Sequence, residues 1–70
     1  MKMLKSNIGT LVEEAGLKDG YIAKKLNVTK RSVYNWRKGL SYPNFEKAFE
    51  LASLLDCKVD DLAEILKEEK

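Results

Sequence analysis

Ile22-Ala23-Lys24-Lys25-Leu26-Asn27-Val28-Thr29-Lys30-Arg31-Ser32-Val33-Tyr34-Asn35-Trp36 is the stretch whose reading decides the fold. Ile22, Ala23 and Leu26 recur at helical spacing, and so do Val33 and Trp36. Between the two sets lies Leu26-Asn27-Val28-Thr29. Asn tolerates the left-handed conformation of a tight turn, and Thr is a good N-cap. So short a connection forces two helices to cross steeply instead of running as a long hairpin.

Helical periodicity continues on both sides. Upstream, Ile8, Leu11, Val12 and Ala15 form a segment that Ser6 or Asn7 can cap and Gly16 can end. Gly9 inside it costs about 1 kcal/mol relative to Ala. Asp19 starts the second segment. The third runs from Thr29 to Lys38, with Gly39 as its terminator. Pro43 disfavours helix at Tyr42, and Asn44 caps a fourth helix carrying Phe45, Ala48, Phe49, Leu51, Ala52 and Leu55. Asp60 is read as the cap of a fifth, with Leu62, Ile65 and Leu66 as its apolar stripe. No β-alternation stands out. The expected fold is all-α, a compact bundle of about five short helices forming one domain over residues 1–70. Trp36, Phe45 and Phe49 are assigned to its core, and Cys57 is read as a small buried apolar residue.

Composition narrows the function. The chain has 70 residues, one Cys and no His. A structural zinc site needs several such ligands, and the commonest general base is missing. No nucleophile–base pair, cofactor motif or small-molecule ligand site is evident, so an enzyme is not expected. No apolar run approaches the roughly 20 residues that span a bilayer, no targeting segment is visible, and a lone Cys fits a reducing cytoplasm.

The net charge of +2 hides an asymmetry. Residues 18–44 carry Lys18, Lys24, Lys25, Lys30, Arg31, Arg37 and Lys38 against Asp19 alone, whereas residues 45–70 carry twice as many acids as bases. One part attracts a polyanion and the other repels it. On a helical wheel Val33 and Trp36 share one side of the third segment. Arg31, Tyr34, Asn35 and Lys38 lie opposite, with Lys30 flanking. Such a face is either a solvated outer surface or one suited to a DNA major groove, where Arg and Lys donate to guanine and Asn pairs with adenine.

Residues 8–66 resemble the lambda-repressor-like helix-turn-helix domains, the Cro/repressor or Xre-type family. The resemblance rests on Gly16-Leu17, on Ile22 through Thr29, on Ser32 through Gly39, and on Pro43 through Lys47, Leu51 through Leu55 and Val59 through Leu62. It implies a five-helix DNA-binding domain whose third helix reads the major groove. By the same resemblance Lys30, Arg31 and Asn35 fall where such proteins touch bases, with Tyr34 and Ser32 secondary and Ser32 closer to the backbone. Lys38, Ser41, Tyr42 and Asn44 fall near phosphate contacts. Two departures stand out. Asp19 replaces a Gln common in the family and would repel a phosphate. Val12 and Arg37 replace a family Arg–Glu pair, which leaves Arg37 to meet Glu13 or Glu14, to face the DNA backbone, or to stand in solvent.

The resemblance implies a transcriptional regulator. One such domain contacts little DNA, so the expected form is a repressor bound to double-stranded DNA at a pseudo-palindromic operator, as a homodimer through the C-terminal helix. The competing reading is a protein-interaction or antitoxin-type helical module whose main partner is another protein.

Overall fold

The computed structural model describes residues 2–67. In chain order the elements are β1 (Lys2–Ser6), α1 (Ile8–Ala15), α2 (Asp19–Leu26), α3 (Lys30–Lys38), α4 (Phe45–Leu54), one 3₁₀ turn (Val59–Asp61) and β2 (Ala63–Lys67). The chain is mostly helical, but it is neither all-α nor a five-helix bundle.

Local signals set most helix ends. Thr29 Oγ1 accepts the Ser32 N–H at 3.1 Å, and Asn44 Oδ1 accepts the Lys47 N–H at 2.8 Å. Both fill N-terminal donors that the helix itself leaves unpaired. Gly16 (φ 71°) and Gly39 (φ 76°) end α1 and α3 in the left-handed region, and Asn27 (φ 59°) does the same for α2. At the start of α1, Asn7 makes no cap to its own helix. Ser6 Oγ instead accepts the Ile8 N–H at 3.3 Å and donates to the Trp36 carbonyl at 2.9 Å.

The core is formed by Ile8 and Val12 from α1, Ile22, Ala23 and Leu26 from α2, Val33 and Trp36 from α3, Leu51 and Ala52 from α4, and Leu62. Gly9 makes this packing possible. A Cβ placed there would lie 2.9 Å from the Arg37 carbonyl oxygen, so only a glycine lets α1 approach α3 this closely.

Two expectations about α4 and the C-terminal segment are overturned. Phe45 is 81% exposed and Phe49 53%, so neither is core. The buried residues of α4 are Leu51 and Ala52, and at 100° per residue the two phenylalanines point about a quarter-turn away from their mean direction. They pack on each other edge to face, with ring centroids 5.0 Å apart.

The fifth helix, and with it the helical dimer interface, is replaced by a 3₁₀ turn and a strand. Asp60 caps nothing there; Asp61 Oδ2 accepts the Lys58 N–H at 3.1 Å. β2 pairs antiparallel with β1 in the register Leu4↔Ile65, Lys5↔Glu64 and Ser6↔Ala63. So short a segment is a poor isolated helix, and the N-terminal strand supplies backbone partners that helical periodicity cannot reveal. Leu62 is buried, but Ile65 is 58% exposed. The side chain of Leu66 and residues 68–70 lie outside the described residues.

Candidate nucleic-acid interface

The turn between α2 and α3 fixes how α3 is presented. Asn27 takes the left-handed conformation, and the Val28 N–H returns to the Ala23 carbonyl at 2.9 Å. From α4, Lys47 Nζ donates to the Leu26 carbonyl at 2.6 Å and also meets Glu50 Oε1 at 3.3 Å. A cation therefore satisfies a carbonyl at the negative end of α2. Val33 and Trp36 anchor α3 from beneath.

The opposite side of α3 faces outward. Lys30, Arg31, Tyr34 and Lys38 are exposed, while Ser32 and Asn35 are half-buried. Tyr34 organises part of this face: Arg37 Cζ lies 5.6 Å from its ring centroid and Lys38 Nζ 5.8 Å. Cations at this distance are attracted by the ring. The side chain of Lys30 passes close to Gly20 in the first turn of α2. A shallow groove between the end of α1, the start of α2 and α3 is lined by Lys18, Tyr21, Lys30, Arg31, Tyr34 and Arg37.

The residues expected along the backbone divide in three. Lys38 and Ser41 are exposed at the end of α3 and in the following loop. The Tyr42 hydroxyl donates its proton to the Leu4 carbonyl at 3.1 Å, so that proton is already engaged. Asn44 Oδ1 is engaged as a cap, and the Ser32 hydroxyl oxygen accepts from Thr29 Oγ1 at 3.1 Å while keeping its own proton. The amide nitrogen of Asn44 keeps its donors.

Arg37 has a partner that was absent from the options read in the sequence. Its Nε and Nη2 donate to the two carboxylate oxygens of Asp19, each at 2.8 Å. This hydrogen-bonded pairing with Asp19 raises the guanidinium pKa further above its already high value, against a smaller opposing effect of burial. Asp19 therefore stands as an internal partner to a cation at the start of α2, and its charge is compensated locally. Both residues were visible as departures from the family pattern; their spatial adjacency was not.

Two short helices joined by a tight turn, with a buried anchor and a basic, amide-bearing outer face on the second, define the helix-turn-helix class. The helix-turn-helix family profile matches residues 8–62, and the chain belongs to that family, in its Cro/C1-type branch. Among solved structures the chain is similar to a candidate DNA-binding protein from Bacteroides fragilis, with a TM-score of 0.82 and 18% identity, covering 89% of this chain and 100% of that one. It is also similar to a transcriptional regulator from Listeria innocua, with a TM-score of 0.75 and 34% identity, covering 91% of this chain. The match spans 60% of the Listeria protein's length. No curated protein matches the chain at a significant level. No helix among the described residues is long and apolar enough to cross a membrane, and no three potential metal ligands cluster there.

Proposed function

We propose that the chain is a sequence-specific, double-stranded-DNA-binding transcription regulator that acts in the cytoplasm. The observation that carries this is the division of α3 into a core side, Val33 and Trp36, and an outer side presenting Lys30, Arg31 and Tyr34 with Asn35 at its margin. Phosphate neutralisation by the basic side chains releases counterions and supplies most of the affinity. The N-terminal part of α3 enters the major groove, where Lys30, Arg31, Tyr34 and Asn35 read base edges. Ser32, Lys38, Ser41, Tyr42 and Asn44 fix the register against the backbone, Tyr42 through contact of its exposed ring, since its hydroxyl proton is engaged. One such domain contacts few base pairs, so two copies on a pseudo-palindromic operator are expected, and occupancy of a promoter would repress it.

The exposed Phe45–Phe49 pair favours a second reading, an antitoxin-type module that binds another protein. A mobility-shift titration with mixed genomic DNA over a range of salt separates the two. Binding that weakens steeply with salt supports the regulator; absence of any shift at low salt refutes it.

A further inference from the structure

α3 ends at Lys38 and α4 begins at Phe45, so Gly39 to Asn44 form the connection between them. Ser41, Tyr42 and Asn44 lie in it and Lys38 adjoins it, all of them assigned above to the DNA backbone. Near neighbours fix its two ends. At one, Gly39 is left-handed, and the Leu40 and Ser41 N–H groups return to the Asn35 carbonyl at 2.9 and 3.4 Å. At the other, Asn44 Oδ1 caps α4. Apolar burial does not hold the middle, since Leu40 is 71% exposed and Tyr42 41%.

β1 holds it instead. The Asn7 N–H donates to the Leu62 carbonyl at 2.8 Å, so positions 7 and 62 face each other on the ladder. Antiparallel alternation then turns the carbonyls of Leu4 and Ser6 away from β2. The outward Leu4 carbonyl accepts the Tyr42 hydroxyl proton at 3.1 Å. Two residues on, the Ser6 hydroxyl donates to the Trp36 carbonyl at 2.9 Å and accepts the Ile8 N–H at 3.3 Å. Both contacts meet at Gly39: a Cβ placed there would lie 3.6 Å from Ser6 Cβ and 4.0 Å from the Tyr42 hydroxyl oxygen. β1 is itself fixed, because β2 pairs with it and the buried Leu62 ties the ribbon to the core. The outer edge of β1 thus bridges the end of α3 and the middle of the connection.

We propose that β1 is a strap that orders the α3–α4 connection before DNA arrives, with Ser6 and Tyr42 as its positioning residues. The proposal rests on the DNA reading above. A connection ordered only on binding would lose conformational entropy at that moment, and affinity would fall by that cost. Single hydrogen bonds of this kind add modestly to global stability. Their larger effect is local, since they fix where Lys38, Ser41 and the Tyr42 ring stand relative to α3. Those groups meet phosphates, which carry no sequence information directly. Loss of the strap therefore weakens binding to all duplexes alike and leaves base preference as it was.

Ser6→Ala and Tyr42→Phe test this in the full chain. Tyr42→Phe keeps the ring and removes only the bond to Leu4; Ser6 is half-buried and is not assigned to DNA. Each is titrated against a duplex selected from random DNA and against a scrambled duplex, well below the melting temperature of every variant. The expected result is a loss of about three- to tenfold on both duplexes, with their ratio unchanged. Ser6→Thr, which keeps the hydroxyl, restores the wild-type affinity. Without DNA, the Leu40 and Ser41 amides should exchange faster in both weakened variants, while the Val33 and Trp36 amides keep their protection. A role confined to global stability would instead shift the melt and leave binding at low temperature alone. Unchanged affinity in both variants, a loss confined to the selected duplex, or wild-type exchange at Leu40 and Ser41 in both overturns the proposal. Failure of the DNA reading would appear separately, as no duplex shifted by the wild type at low salt, and would take the proposal with it even where the exchange result holds.

Discussion

Arg37 grips Asp19 through two parallel hydrogen bonds of 2.8 Å, tying the last turn of α3 to the first turn of α2. Both side chains are roughly a quarter exposed, so solvent screens the pair, yet its fork-to-fork geometry is the favourable one. Asp19→Ala should cost about 1 kcal/mol in denaturant unfolding, less at high salt. It should also release a guanidinium beside the proposed interface. The salt slope of DNA binding should then steepen by about one phosphate contact. An unchanged slope would mean that Arg37 does not reach the DNA backbone.

Gly9→Ala sets helix propensity against packing. Propensity alone predicts a gain of about 1 kcal/mol. The Arg37 carbonyl would lie 2.9 Å from the new Cβ, and backbone cannot move aside as a side-chain end can. The expected outcome is a net loss of about 1–3 kcal/mol, read by thermal or denaturant unfolding. A stabilised variant would show that α1 can shift away from α3 at little cost.

The aromatic residues should separate sharply. Trp36 is 5% exposed, and Trp36→Ala is expected to cost about 3–5 kcal/mol, enough to unfold a domain of this size. Phe45 is 81% exposed, and Phe45→Ala should move stability by less than about 0.5 kcal/mol. Parallel melts of the two variants check both values.

On a preferred site selected from random DNA, Arg31→Ala and Asn35→Ala should each cost about 1–3 kcal/mol of binding and relax base preference. Arg31 is exposed, so its fold should be unaffected; Asn35 is half-buried, and a melt must accompany its titration. Full affinity and selectivity in both variants would show that the reading face lies elsewhere.

Cys57 offers a test by pH. Burial pushes its thiol above the usual range, and the carboxylates of Asp61 and Asp56 add to the shift. The folded state therefore favours the neutral thiol. Its contribution to stability is complete below the ordinary thiol pKa and is lost as pH rises through the raised one. Alkylation of the native protein should be slower near neutrality than in the unfolded chain and should accelerate at a higher pH. A native thiol that titrates below a free one would contradict this environment.

The four α-helices, the cap residues Thr29 and Asn44, the left-handed Asn27, Gly16 and Gly39, and the inward Val33 and Trp36 were legible in the sequence. These features depend on contacts between near neighbours in the chain, and side-chain type at a fixed spacing encodes them directly. The basic outer side of α3 was legible for the same reason, since a helix turns sequence spacing into a face. The β1–β2 ribbon, the Arg37–Asp19 pair, the Lys47 bond to Leu26 and the Tyr42 bond to Leu4 were decided only by tertiary structure. Each joins residues distant in sequence, and no local period announces such a partner. Ala63 through Lys67 illustrates the reason: its apolar spacing suits a short helix, but a strand at the other end of the chain offers it backbone hydrogen bonds, and that pairing wins. The exposure of Phe45 and Phe49 was decided in the same way, because the neighbours of α4 choose which part of its broad apolar surface is covered.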